Sequence, residues 1–356
     1  MVSSINCLDI SQDSLLIATG TADSYIRVWS LQGKPLVSTL PHEQGTQAPN
    51  SRRLVGHSGP VFAVSFSPSI APNDSVPLGY SKVIPTNTQA LLSCSADKTI
   101  RLWSLDSWQC LVVYKGHDGM IWDITWGPYG HYFLTGSRDR TARLWSTESI
   151  AYLRLFVGHD QDVDVVAFHP NSAYVFTGSC DKTVRMYAVT NGYPVRMFTG
   201  HTGNVISLAC SPSGKILASA DDAGTIILWD LAPGRLLKRM RGHGKGGIWS
   251  LSFSAESTVL VSGGADGTVR VWDVVLPAEA PEQGKILKEV MGAKIDAGGQ
   301  NGAGVVSGAG GAKKKKGKEV VVTPDQISAF PTKKSPVYKV RFTGMNLVVA
   351  AGAYLP

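Results

Sequence analysis

Along most of the chain, apolar and polar residues alternate in runs of five or six that end at Gly, Pro, Ser or Asp. Residues 121–126 form one such run, residues 133–136 a second and residues 141–145 a third, and residues 152–157 lead into the next group. Alternation over so few residues predicts half-buried β-strands rather than helices. The pattern therefore predicts repeating units of four short strands.

A fixed interval of 42 residues separates equivalent positions in successive units. Gly-His pairs begin at Gly116, Gly158, Gly200 and Gly242. Aromatic residues close successive units at Trp103, Trp145, Tyr187 and Trp229. Four strands per unit of about 40 to 45 residues are typical of a β-propeller blade, so we predict an all-β fold of this kind.

Each regular unit repeats four hydrogen-bonding residue types, which we expect to form a chain of bonds within the blade. The histidine can bond an aspartate and a hydroxyl, and that hydroxyl can accept from the tryptophan N–H. A buried network of this kind strengthens the fold only when every member has a partner. The expected sets are His57, Ser93, Asp97 and Trp103; His117, Thr135, Asp139 and Trp145; and His243, Ser262, Asp266 and Trp272. Recurrence in every regular unit indicates a structural role, because catalysis would need only one histidine.

Two units depart from this set, and we expect their networks to be incomplete. In one, Tyr187 replaces the tryptophan beside His159, Thr177 and Asp181. In the other, which contains His201, Ser219 and Trp229, Ala223 stands where the aspartate should be. That second network would be complete only if Asp221 or Asp222 reached the histidine.

The strand pattern predicts one propeller of seven blades, the last of them incomplete. The expected blades are residues 5–55, 56–115, 116–157, 158–199, 200–241, 242–332 and 333–356. Only two strand patterns follow residue 333, and we expect the natural protein to have upstream residues that complete the last blade.

Three insertions, residues 31–54, 69–88 and 277–326, interrupt the regular pattern. Each follows the first or the third strand of its unit, and these connections share one face of a propeller. The last insertion, residues 277–326, is of low complexity and contains a Gly-Ala-Lys tract at residues 308–317, and we expect it to be disordered. Because long loops in a compact domain tend to be functional or disordered, this elaborated face is a candidate docking surface.

The opposite face is expected to carry seven residues at the mouth of the central channel, one beside the first apolar position of each inner strand. Four of the seven are aromatic, and exposed aromatic side chains contribute large contact areas. The alternative is that some of these rings pack against neighbouring blades. The seven residues are Asn6, Phe62, Trp122, Asp164, Ile206, Trp249 and Tyr338.

Composition narrows the function classes. The five cysteines form no C-x-x-C pair, which indicates neither a disulfide framework nor a metal site and favours a reducing compartment. The longest apolar run falls short of the roughly 18 residues that a membrane span needs, so no membrane is expected. No motif for phosphate binding, metal-dependent proteolysis or serine hydrolysis occurs. The sequence thus indicates no enzyme, no cofactor and no small-molecule substrate.

The recurring Gly-His and Trp positions resemble the WD40-repeat family over nearly the whole chain. Residues 169–172, 195–201, 270–273 and 346–354 are also similar to the C-terminal propeller of the TBP-associated factor five family. Those proteins are subunits of the general transcription factor IID and, in fungi, of SAGA. The resemblance implies a nuclear, non-catalytic scaffold in RNA polymerase II pre-initiation complex assembly. It also implies histone-fold partners, chiefly the TBP-associated factor six and nine pair, and an upstream helical domain.

Two alternatives to the scaffold remain. The channel-mouth aromatics, with Asp164 as counter-charge, could bind a basic peptide such as a histone tail through cation–π contacts. The lysines at residues 313–316, with Lys318, could contact phosphates or direct nuclear import. A solvated loop is the simpler interpretation of those lysines, so direct DNA contact is not expected.

Overall fold

The computed structural model describes residues 4–40, 48–68, 89–244, 246–274, 323–332, 335–343 and 346–352. Within these ranges every regular element is a β-strand. The first sheet contains β1 (Ile5–Ile10), β2 (Leu16–Thr21), β3 (Tyr25–Ser30) and β4 (Ser51–Val55). The second contains β5 (Val61–Phe66), β6 (Ala90–Ser95), β7 (Thr99–Ser104) and β8 (Cys110–Lys115). The third contains β9 (Ile121–Trp126), β10 (Tyr132–Ser137), β11 (Ala142–Ser146) and β12 (Ser149–Phe156).

The remaining sheets continue the series. The fourth contains β13 (Val163–Phe168), β14 (Tyr174–Ser179), β15 (Thr183–Ala188) and β16 (Pro194–Thr199). The fifth contains β17 (Val205–Cys210), β18 (Ile216–Asp221), β19 (Thr225–Asp230) and β20 (Arg235–Arg241). The sixth contains β21 (Ile248–Phe253), β22 (Val259–Gly264), β23 (Thr268–Asp273) and β24 (Gln326–Pro331). A two-stranded sheet follows, made of β25 (Val337–Phe342) and β26 (Val348–Gly352).

Strands pair antiparallel in chain order in every sheet, so the predicted four-strand unit is confirmed six times. The first strand of each unit is the inner edge and the fourth is the outer edge. A β-bulge recurs in all seven pairs of first and second strands, at the second residue of the first strand. A bulge leaves one residue outside the regular alternation and re-aims its side chain. The bulged positions are the seven predicted channel-mouth residues.

The hydrophobic core lies between neighbouring sheets rather than at one central point. One cluster, for example, joins Leu102 and Tyr114 of the second sheet to Phe133 and Trp145 of the third. Glycines in second strands allow the sheets to approach closely. A Cβ built on Gly178 would lie 2.7 Å from Cγ1 of Val205 in the next sheet, too close for any other residue without movement.

The two-stranded sheet lies between the sixth sheet and the first. Val337 and Val340 share a cluster with Val261 and Val269 of the sixth sheet. On its other side, Lys339 Nζ lies 3.2 Å from Asp9 Oδ1 and the Arg341 guanidinium donates to the Ile10 carbonyl at 2.6 Å. Polar side chains thus join inner strands of successive sheets, which satisfies backbone groups at strand edges.

The described part of the first insertion packs on the second sheet. Leu36 is buried, the Trp108 indole donates to the Val37 carbonyl at 3.1 Å, and Thr39 N donates to the Asp106 carbonyl at 3.0 Å. Residues 69–88 and the Gly-Ala-Lys tract lie outside the described residues, as do Lys82 and Lys313 to Lys316.

Candidate interaction surfaces and the network beneath them

The third sheet has the complete hydrogen-bond chain. His117 Nε2 lies 2.7 Å from Thr135 Oγ1, and Trp145 Nε1 donates to the same oxygen at 2.9 Å. On its other side, His117 Nδ1 lies 2.7 Å from Asp139 Oδ2. A neutral imidazole protonated at Nδ1 satisfies every member, because Nδ1–H donates to the carboxylate and the threonine hydroxyl donates to Nε2.

The second and sixth sheets have the same arrangement. In the second, the histidine lies 2.8 Å from Ser93 Oγ and 2.9 Å from the Asp97 carboxylate, and the Trp103 indole lies 2.8 Å from that serine. In the sixth, the corresponding distances are 2.6 Å to Ser262 Oγ, 3.1 Å to the Asp266 carboxylate and 2.7 Å from the Trp272 indole to the serine. One set of contacts therefore ties three strands and two loops together in three sheets.

Electrostatics within the network favour an ionised aspartate and, in the third and fourth sheets, a neutral histidine beside it. Burial opposes ionisation of Asp97, Asp139 and Asp266, but hydrogen bonds from histidine, threonine and backbone groups outweigh it and hold the pKa of each carboxyl well below its usual range. Burial lowers the pKa of His117 and His159, against the opposing effect of the neighbouring aspartate. The network is thus a structural element that is stable at neutral pH.

In the fifth sheet the stated exception applies and the network is complete, because Asp221 supplies the carboxylate. His201 Nδ1 lies 3.1 Å from Asp221 Oδ2, and the Trp229 indole donates to Ser219 at 2.8 Å. Asp221 stands two residues before the usual position, where a serine occurs in the second, third and fourth sheets. It also accepts from Thr225 N at 2.7 Å, the bond that the regular aspartate makes to the residue after the turn. Asp222 is exposed and instead accepts from Asn204 N.

In the fourth sheet the aromatic residue bonds elsewhere. His159 keeps its contacts to Thr177 at 2.7 Å and to Asp181 at 2.8 Å. The Tyr187 hydroxyl donates to the Val157 carbonyl at 3.3 Å. Burial raises the pKa of this tyrosine. The tyrosine thereby ties the third strand to the residue that precedes the Gly-His pair, by a different bond.

All seven predicted channel-mouth residues line one cavity of about 850 Å³ at the centre of the propeller. Two aromatic pairs form part of its wall. The Phe62 and Trp122 rings have centroids 4.7 Å apart, and the Trp249 and Tyr338 rings have centroids 5.0 Å apart. Trp249 keeps 37% of its surface exposed. The alternative of rings packed against neighbouring blades therefore holds in part, since each ring of a pair comes from a different sheet.

Carboxylates occupy the mouth between the two aromatic pairs. Asp162 Oδ2 accepts from the Trp122 indole at 3.1 Å, and Asp164 Oδ2 accepts from the Cys180 thiol at 2.9 Å. Burial, with repulsion from Asp162 and Asp222, raises the pKa of Asp164 to about 6. Burial and the adjacent Asp164 raise the pKa of Cys180 to about 12. This side of the mouth is therefore negatively charged at neutral pH, and its thiol is protonated.

A third set of contacts, on the outer strands, was not predicted from the sequence. Arg154 donates to the Thr190 carbonyl at 3.2 Å and Arg196 donates to the Ala232 carbonyl at 2.6 Å. Lys238 Nζ donates to the Asp273 carbonyl at 3.0 Å. Each cation thus reaches from one outer strand to the end of the third strand of the next sheet or to the connection that follows it. Successive cations are 42 residues apart, so their recurrence at the repeat period could have predicted that they make equivalent contacts.

The described residues contain no disulfide, no metal-binding cluster and no membrane-spanning helix. The five cysteines are free, and no group of three or more His, Cys, Asp or Glu side chains in the described ranges could hold a metal ion. A search of the same residues found no helix long and apolar enough to cross a membrane.

Repeated four-stranded sheets around a lined central channel define a β-propeller. The family model for the WD domain, G-beta repeat, matches residues 2–30, 81–104, 108–146, 151–187, 192–230 and 234–273, together more than half of the chain. The chain belongs to the WD-repeat family.

Several relatives carry similar names. The chain is 44% identical over 113 residues to "SAGA complex/transcription factor TFIID complex subunit Taf5" of Schizosaccharomyces pombe, an alignment that covers 32% of this chain and 14% of that protein. It is 35% identical over 131 residues to "Transcription initiation factor TFIID subunit 5" of Drosophila melanogaster, covering 31% and 16%. The namesake from Arabidopsis thaliana is 41% identical over 121 residues, covering 31% and 15%. The chain thus matches only about a sixth of the length of each of these relatives.

Proposed function

We propose that this propeller is a non-catalytic scaffold in the general transcription machinery of the nucleus, as a subunit of transcription factor IID, of SAGA, or of both. The observation that carries the proposal is the similarity to TFIID subunit 5 proteins, at 35 to 44% identity in three organisms. Repeats that hold the fold together, with no catalytic group among them, suit a scaffold.

The proposed partners are histone-fold subunits of the same complexes, chiefly the TBP-associated factor six and nine pair. The elaborated face is the proposed docking surface. Residues 36–39 of the first insertion are held on the second sheet by Thr39 and Trp108, and Lys34 is exposed. A fixed loop presents its side chains to a partner with little further loss of entropy.

Co-purification of this chain with the six and nine histone-fold pair tests the proposal, followed by lysine cross-linking. We expect a complex, with cross-links from Lys34 or Lys82 to the pair. Failure to co-purify, with circular dichroism showing a folded propeller, would refute histone-fold docking by this chain. Cross-links confined to the opposite face would move the docking surface there.

We also propose that β25 and β26 are the inner half of a seventh blade, and that residues 5–352 form one structural unit. The bulge at Tyr338 and the contacts of Lys339 and Arg341 with the first sheet support this. A single unfolding transition, shared by tryptophan fluorescence and far-ultraviolet circular dichroism, is expected of one unit. Two separate transitions would contradict it.

A second candidate function is binding of a basic peptide at the channel mouth. It is favoured by the two aromatic pairs with Asp162 and Asp164 between them. A guanidinium or ammonium over an aromatic face gains about 0.5 to 2 kcal/mol, more when water is excluded. Carboxylates between the two pairs add an attraction that a neutral or acidic peptide lacks.

A labelled peptide of alternating arginine and alanine, compared with its glutamate counterpart, tests this candidate. We expect the arginine peptide alone to bind, and Trp122→Ala to weaken it about tenfold through the lost cation–π contact. Tyr129→Ala is the matched control, because Tyr129 is an exposed aromatic residue outside the channel. Equal binding of both peptides, or an equal effect of both variants, would exclude the mouth as the site.

A further inference from the structure

The six outer strands share an unusual charge composition. Together β4, β8, β12, β16, β20 and β24 contain nine Arg and Lys residues and neither Asp nor Glu. Outer strands are sheet edges, and Lys and Arg on an edge discourage pairing with other chains. One-signed charge also makes the rim attractive to acidic partners.

Apolar side chains are exposed on the rim chiefly in the third and fourth sheets. All six residues from Ile150 to Leu155 are exposed, an unusual loss of alternation for one strand. Ile150 is 66% exposed and Met197, on the outer strand of the next sheet, is 55% exposed. We call these exposed side chains of two neighbouring outer strands the apolar band; its members are Ile150, Leu153 and Leu155 of β12 and Val195 and Met197 of β16. Exposed apolar patches on a soluble protein mark interaction sites.

Each strand of the apolar band holds one arginine in a fixed position. The Arg154 guanidinium donates to the Thr190 carbonyl and to the Leu153 carbonyl, and the Arg196 guanidinium donates to the Ala232 carbonyl. These acceptors are neutral, so they orient the two guanidinium groups without neutralising them. Several N–H groups on Arg196 have no acceptor among the described residues and could bind a carboxylate.

We propose that the apolar band with Arg154 and Arg196 is a docking surface for an acidic, apolar segment of a partner protein. Its apolar side chains would cover Ile150 and Met197, and its carboxylates would bind the two guanidinium groups. A second copy of this chain fits poorly, because its own rim has the same positive charge. Nucleic acid fits poorly too, because the exposed apolar side chains would face phosphates. The proposal does not depend on which complex the chain joins.

The test uses this chain and two labelled synthetic peptides of twelve residues. In one, leucine alternates with glutamate, and in the other leucine alternates with lysine. We expect fluorescence anisotropy to show that the glutamate peptide binds, whereas any binding of the lysine peptide, which would occur at the channel mouth, should not respond to substitutions on the apolar band. The double variant Ile150→Ser, Met197→Ser should weaken it about tenfold or more, because two apolar contacts are lost. Ile327→Ser, at a site 60% exposed on the outer strand of the sixth sheet, is the control and should change nothing.

Charge is tested separately with Arg196→Gln, against Arg235→Gln as a control, since the Arg235 side chain is 71% exposed and belongs to another sheet. We expect only Arg196→Gln to weaken binding and to reduce its dependence on salt. Equal weakening of both peptides by the double variant, or no effect of that variant on the glutamate peptide, would overturn the proposal. Self-association that the double variant abolishes would replace the partner with a second copy. Binding of duplex DNA in place of the glutamate peptide would reassign the rim to nucleic acid.

Discussion

The hydrogen-bond networks and the channel mouth make opposite use of the same repeat. Four sheets, the second, third, fifth and sixth, place a histidine between a carboxylate and a hydroxyl that accepts from tryptophan. The fifth is among them even though its aspartate stands two residues early. At the mouth, the same β-bulge holds seven positions with six different residue types, from Asn6 to Tyr338. Side chains that recur from sheet to sheet are required for the stability of the fold. Variation on one fixed backbone leaves those side chains available for contacts with partners.

The largest effect is expected from removing the displaced carboxylate of the fifth sheet. Asp221→Ala would leave the buried His201 Nδ1–H and Thr225 N–H without an acceptor, at a cost of about 3 kcal/mol in unfolding free energy. Asp222→Ala, its exposed neighbour, should cost less than about 1 kcal/mol. Denaturant unfolding measures both, and equal losses would show that Asp221 does not complete the network.

A smaller effect distinguishes the tryptophan networks from the tyrosine one. Thr135→Val removes the partner of both His117 and the Trp145 indole, and about 2 kcal/mol of stability should be lost. Thr177→Val removes the contact to His159 but leaves Tyr187 its bond to Val157, so about 1 kcal/mol should be lost. The two substitutions are matched in size, so similar unfolding free energies would contradict the assigned bonding.

The networks also predict a loss of stability in acid. Asp97, Asp139 and Asp266 have a folded-state pKa below the unfolded value of about 4, so the unfolded chain binds more protons as the pH falls. Their contribution is present above about pH 4 and is lost progressively below it. The melting temperature between pH 7 and pH 2.5 measures this, with Asp139→Asn expected to flatten the curve. If the melting temperature of that variant falls with pH as steeply as that of the native chain, Asp139 does not contribute to the loss of stability in acid.

The sequence predicted the networks because their members recur at fixed spacings within units of 42 residues. It could not assign Asp221, since a carboxylate two positions early reaches the histidine only if the turn points it inward. The positions at the channel mouth were predicted from strand order, but the bulge that turns those side chains out of alternation leaves no mark in residue type. The contacts of Arg154, Arg196 and Lys238 were missed because their acceptors are backbone carbonyls of the next sheet.

The smallest change in unfolding free energy is expected at the channel mouth, where a substitution should stabilise the fold rather than destabilise it. The pKa of Asp164 is raised to about 6, so its carboxylate destabilises the fold at neutral pH. Asp164→Asn should therefore raise the unfolding free energy at pH 7 by about 1 kcal/mol, and the gain should shrink as the pH falls through 6 and the native carboxyl is protonated. A loss of stability at pH 7 would mean that this carboxylate holds the fold together.

The most direct test measures stability and peptide binding together in two matched variants. Trp122→Ala removes a channel-mouth ring, and Trp145→Phe removes the indole N–H of a network. The account predicts weaker binding of the arginine peptide for Trp122→Ala, with a loss of unfolding free energy limited to about 1 kcal/mol for the contacts with Phe62 and Asp162. It predicts lower unfolding free energy with unchanged binding for Trp145→Phe. If Trp122→Ala instead destabilises the propeller as much as Trp145→Phe and leaves binding intact, the division between a repeated structural network and a variable contact surface is contradicted.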